Sequence, residues 1–123
     1  MKVISTKNAP GAIGPYSQAV ETSTVIYASG QIAIDPSTGN IVEGGIKEQT
    51  HQACKNVGEI LKACGSSFDK VVKTTCFIKN MADFALFNEV YAQYFVSKPA
   101  RSCVEVSALP KGALCEIEVI AEK

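Results

Sequence analysis

Between residues 46 and 121 the apolar side chains switch three times between a helical and an extended period, and this alternation restricts the fold more than any other feature. At about 100° per residue, Ile46, Ala53, Val57, Ile60 and Cys64 lie within about 40° of one direction, while Lys47, Glu48, Lys55, Glu59 and Lys62 point elsewhere. Gly65 supplies the stop, because glycine adopts the left-handed C-terminal conformation without penalty. The β-branched run VVKTTCFIK, residues 71–79, reads as a strand. Asp83 to Val96 reads as a second helix with Phe84, Phe87, Tyr91, Tyr94 and Phe95 on one face, a spacing that fits core packing. Arg101 to Ser107 and Leu114 to Ala121 are two further strands. Strand–helix–strand units favour parallel pairing through a right-handed crossover, so both helices are expected on one face of a single sheet. The other face is left uncovered.

Ahead of this region, Val3 to Thr6 reads as a short strand and NAPGAIGP, residues 8–15, as a loop that neither regular structure can cross. Tyr16 to Val20 and Val25 to Ser29 form two strands around the turn Glu21 to Thr24, and Gly30 ends the second. DPSTGN, residues 35–40, is a turn by composition. The expectation is an α+β fold in one domain spanning residues 1–123, a length that buries one core but not two.

Twelve basic and twelve acidic side chains cancel, which removes the electrostatic case for nucleic acid as a partner. No stretch approaches the roughly 20 apolar residues of a membrane span, and MKVISTKNAP lacks the apolar core of a signal peptide. The cysteines at 54, 64, 76, 103 and 115 are odd in number and form no CxxC pair, so reduced thiols in a cytoplasmic protein are expected. No metal-ligand spacing and no nucleotide-binding glycine loop is present, so neither a metal site nor a phosphate-cradling loop is expected.

Side chains alternate along a strand, which sorts the last two strands by face. Cys115, Ile117, Val119 and Ala121 are expected under the helices, with Leu114, Glu116, Glu118 and Ile120 opposite. Ser102, Val104 and Val106 are expected under the helices too, which puts Arg101, Cys103, Glu105 and Ser107 on the uncovered face, together with Val71 and Phe77 of the middle strand. A mixed face of this kind suits contact with other subunits. A symmetric hairpin about ALPKGA would oppose Glu105 and Glu116, an unfavourable pairing that argues for another register or a non-adjacent placement.

Arg101, at the start of a strand, has a planar fork suited to a carboxylate or phosphate, and it equally suits an arginine paired with Glu118. Glu116 reads either as a partly buried carboxylate with a raised pKa, able to act as acid or base, or as a rim residue of a subunit contact. Cys103 has no histidine partner to make it a nucleophile, since the only histidine, His51, falls on the polar, solvated face of the first helix.

The segments IGPYSQAV, ASGQI, VVKTTCFIKNMADF, PARSCVEV and LPKGALCEIEVIA, in that order, resemble the RidA (YjgF) family over nearly the whole chain. The resemblance implies a chorismate-mutase-like fold, a homotrimer with clefts between subunits, and cofactor-free hydrolysis of reactive enamines and imines such as 2-aminoacrylate and 2-aminocrotonate to 2-oxo acids and ammonia. By the same resemblance Arg101 is the carboxylate clamp and Glu116 positions and activates water. Tyr16, Ser29, Gly30 and Asn88 line the cleft, with backbone groups of Gly30 and Cys103 near the substrate nitrogen or the water. Two other activities attach to such proteins: binding of a stable 2-oxo acid as a signal, and RNA cleavage with translation inhibition. Against RNA stand the absent basic stripe and the aromatics spent on a core face.

Overall fold

The computed structural model describes residues 1–123, and its strands run in the order β1, β2, β3, β6, β4, β5 across one six-stranded sheet. These are β1 (Lys2–Ile4), β2 (Ala19–Glu21), β3 (Val25–Gln31), β4 (Val71–Ile78), β5 (Ala100–Glu105) and β6 (Cys115–Glu122). Helices α1 (Ile46–Ala63) and α2 (Phe84–Tyr94) supply the core beside the sheet. The sheet is mixed: β4 and β5 are parallel, and every other neighbouring pair is antiparallel. The chain thus has the expected α+β architecture, and β4–α2–β5 is the expected parallel unit. The last two strands are not neighbours, since β4 lies between them. Glu105 and Glu116 never meet.

Register resolves the two faces. One row of cross-strand partners runs Ile4, Ala19, Ala28, Val119, Thr74, Arg101, and its members up to Thr74 lie within or against the core. The next row, Val3, Val20, Tyr27, Ile120, Lys73, lies on the opposite, uncovered face, where Val3 and Tyr27 are exposed. Cys115, Ile117, Val119 and Ala121 are all buried, as the alternation requires.

Two expectations about faces are corrected. Cys103 pairs with the fully buried Cys76, so Arg101 and Cys103 lie on the helix side of β5, while Val104 pairs with Phe77 and is exposed. Hydropathy misleads here because β5 is an edge strand with small or polar residues on both faces. Val71 belongs to the core, because the register shifts between Val71 and Lys73. That extra residue turns Val71 toward the helices while Phe77, beyond the bulge, keeps its place. A second bulge between Ala28 and Gln31 lets β3 continue through Gly30 instead of ending there.

α1 buries the face its period predicts, with Cys64 only half buried, and closes at Gly65, where φ is +73°. Its first turn is capped by Glu48, whose Oε1 accepts from the Gly45 N–H at 2.8 Å. The same face also buries polar groups that reach across to loops. Asn56 donates to the carbonyls of Ile32 (3.0 Å) and Ile34 (2.9 Å), and Gln49 accepts from the Leu114 N–H at 2.9 Å. His51 is half buried, with Nδ1 2.9 Å from the Tyr94 hydroxyl, so it is only partly solvated. Asn56→Ala strands the Ile34 carbonyl and leaves that of Ile32 with only the Ile34 N–H, which should cost about 1–3 kcal/mol. Urea unfolding measures the loss, and an unchanged midpoint would contradict this account of the segment's anchoring.

Candidate active site

The uncovered face carries a cleft of about 570 Å³, bounded by the 10–16 loop, the bulged end of β3, the 110–111 turn and the start of β6. Tyr16, Ser29, Gly30 and Glu116 all line it. The bulge sets Gly30 directly against Glu116: a Cβ at position 30 would stand 2.9 Å from Glu116 Cγ and closer still to its carboxyl group. Glycine is required at position 30 for this approach, not for an unusual φ. The Ser29 hydroxyl donates to the Ser17 carbonyl at 2.6 Å, which ties β3 to the segment bearing Tyr16. Tyr16 is exposed, and its hydroxyl accepts from the Ile13 N–H at 3.4 Å. Burial, with a smaller contribution from the like charge of Glu118, raises the Glu116 carboxyl above its ordinary value. Such a carboxyl is suited to exchange a proton with water.

Arg101 sits elsewhere in the same chain. Its guanidinium carbon lies 4.7 Å from the Tyr91 ring centroid and 5.5 Å from that of Phe84, and Nη1 donates to Asn88 Oδ1 at 2.7 Å. Phe84, Asn88 and Tyr91 are one stripe of α2. No acidic group lies within ion-pair distance of Arg101; the ion pairs are Lys2–Glu21, Lys123–Glu21 and Lys47–Glu89. The pairing with Glu118 does not occur.

Within one chain, therefore, the site residues fall into two groups: Arg101, Asn88 and Cys103 on the helix side, and Tyr16, Ser29, Gly30 and Glu116 around the open-face cleft. Arg101 is in register with Thr74 and Glu116 with Phe77, three positions apart and with β4 intervening. That separation is about 10 Å along the strands and about 10 Å across them. Cys103 is half buried against the core, and burial pushes its thiol up, as it pushes Cys76 to about 12 and Cys115 to about 11. None is poised as a thiolate.

Sequence reasoning passed over several contributors. Phe84 and Tyr91 read only as core, yet they carry Arg101; the spacing 84, 88, 91 places an amide between two rings and was the available signal. Pro110 and Lys111 read as a connector, yet they wall the cleft, and Lys111 Nζ donates to the Gly39 carbonyl at 3.2 Å.

A family model described as endoribonuclease L-PSP matches residues 6–123. The 2-iminobutanoate/2-iminopropanoate deaminase of Homo sapiens is 57% identical over 121 residues, covering 98% of this chain and 88% of the human protein. Among solved structures, YyfA of the conserved Rid protein family from Yersinia pestis, a protein of unknown function, is 56% identical with a TM-score of 0.96, covering 99% of this chain and 98% of that one. E. coli TdcF with bound serine is 43% identical with a TM-score of 0.95, covering 100% and 99% respectively.

The raised Glu116 carboxyl has a consequence for stability. A carboxyl that binds its proton more tightly folded than unfolded contributes stability below its unfolded pKa, and that contribution is lost as pH rises through the folded value. Glu116→Gln should therefore unfold at a higher temperature than wild type near pH 7, with the gap closing below about pH 4, where the unfolded glutamate is also protonated. Thermal melts across pH measure this, and a variant less stable than wild type at pH 7 would contradict it.

Proposed function

The chain belongs to the RidA family, and from that premise we propose that it is a 2-iminobutanoate/2-iminopropanoate deaminase, hydrolysing reactive imines and their enamine tautomers to 2-oxo acids and ammonia. The observation that carries the reading is the pair of unmatched charges: an arginine fork without an acidic partner and a carboxylate lifted by burial. In this reading Arg101 grips the substrate carboxylate with two parallel hydrogen bonds. Glu116 takes a proton from water as its oxygen adds to the imine carbon, and a proton passes to the nitrogen as the C–N bond breaks and ammonia leaves. The imine carbon is already electrophilic, so holding the substrate, placing water and moving a proton suffice. Tyr16, Ser29 and Asn88 line the cleft, with backbone groups of Gly30 and Cys103 near the nitrogen or the water.

Because Arg101 and Glu116 of one chain are too far apart for one small imino acid, the cleft is shared in this reading: Arg101 comes from one subunit and Glu116 from the next. The apolar row Val3, Val20, Tyr27 and Ile120 supports burial of the open face in a homotrimer. Each chain acts as a single domain. No helix is long and apolar enough to cross a membrane, and a cytoplasmic setting fits five unpaired cysteines. A balanced net charge gives no electrostatic case for RNA as the partner.

Light scattering should give about 39 kDa, three times the 13.1 kDa chain; a fully active monomer would sink the shared cleft. For activity, 2-aminoacrylate and 2-aminocrotonate are generated in place by a pyridoxal-phosphate dehydratase acting on serine or threonine. Wild type should speed their loss beyond spontaneous hydrolysis. Arg101→Lys should lose most of that acceleration, since an ammonium keeps the charge but not the fork. Glu116→Gln should bind product yet lose rate. No acceleration, with 2-oxobutanoate still bound through Arg101, would make the chain a small-carboxylate binding module instead.

A further inference from the structure

Arg101 is held in an unusual way for a cation half withdrawn from water. Its Nη1 uses one N–H on Asn88, and no carboxylate neutralises it. What flanks the guanidinium is aromatic: the rings of Tyr91 and Phe84, with Tyr91 the closer. A ring face attracts a guanidinium without offering it an acceptor, so it fixes the plane of the fork and leaves the outward N–H groups free.

Tyr91 is itself locked. Its ring stacks on Phe95 at 4.3 Å and on Phe87 at 5.8 Å, and its hydroxyl lies 2.7 Å from Thr74 Oγ1 in the core. Thr74 is the β4 residue in register with Arg101, so one strand position holds the arginine's backbone and the ring beneath its side chain. We infer that Tyr91, with Phe84 beside it and Thr74 as its anchor, is a positioning residue that orients Arg101 for planar recognition of the substrate carboxylate. The inference rests on the carboxylate-clamp reading above and adds to it which residues give the clamp its direction. The phenol remains neutral, since burial raises its pKa, and the ring can serve the cation at any working pH.

The test is a comparison of ligands on the assembled protein. Calorimetry gives the Kd of 2-oxobutanoate and of 2-oxobutanamide, which lacks the charge and the second acceptor oxygen, for wild type and for Tyr91→Phe, Tyr91→Leu, Phe84→Leu and Arg101→Ala. Tyr91→Phe keeps the ring and loses the Thr74 contact, so it should melt earlier yet retain the preference for the acid. Tyr91→Leu should weaken 2-oxobutanoate roughly tenfold, the scale of a desolvated cation–π contact, and leave the amide unchanged. Phe84→Leu, at a less buried ring, should do the same to a smaller degree and decides the matter if Tyr91→Leu fails to assemble. Equal losses for acid and amide would mean general damage and overturn the inference. If Arg101→Ala abolishes the preference while both leucine variants keep it, the clamp stands and the aromatic shelf does not. Retention of the preference in Arg101→Ala removes clamp and shelf together.

Discussion

The sheet depends on its last strand. β6 is the final element in the chain and the only one bonded to both halves of the sheet, with β3 on one side and β4 on the other. Without it, β1–β2–β3 and β4–β5 have no common hydrogen-bonded partner, and both would present open edges. Its alternation is correspondingly strict: Cys115, Ile117, Val119 and Ala121 go into the core, and Glu116 and Glu118 go to the other side. Placing a carboxylate in mid-sheet is thus a by-product of the strand that the core most needs. The bulge of β3 beside it then brings Gly30 close enough to withdraw that carboxylate from water.

The two helices serve the two groups of candidate site residues differently. α1 reaches over the core with amide side chains, and through Asn56 it pins the 32–34 segment that walls the Glu116 cleft. α2 offers a stripe of rings and one amide to Arg101 at the far edge of the sheet. A core built in this way positions functional groups through residues that are themselves fully or mostly buried, so packing and site geometry cannot be varied separately.

Much of this was legible beforehand. The periods of 46–64, 71–79 and 83–96 translate into α1, β4 and α2 within one or two residues, because long amphipathic segments have one low-energy way to bury their apolar sides. The repulsion expected between Glu105 and Glu116 correctly argued against a terminal hairpin. What hydropathy could not supply was the side of β5. On an edge strand with Ala100, Ser102 and Val104 on one face and Arg101 and Cys103 on the other, the side is set by register with Cys76, a long-range pairing. Bulges were equally invisible, since one extra residue at Val72 reverses the face of Val71 without any mark in composition. The residues proposed for the site could be named one by one, but their division between two faces was not legible.

The lack of an acidic partner at Arg101 has a chemical side effect. A fork flanked by rings and left without an acidic partner would, in the clamp proposed above, meet any small oxyanion that offers it two oxygens. Phosphate, sulfate and small carboxylates all present such paired oxygens. In a crowded metabolite pool the protein would work against a standing occupancy of competitors, and its effective capacity would follow the anion composition around it as much as its own abundance.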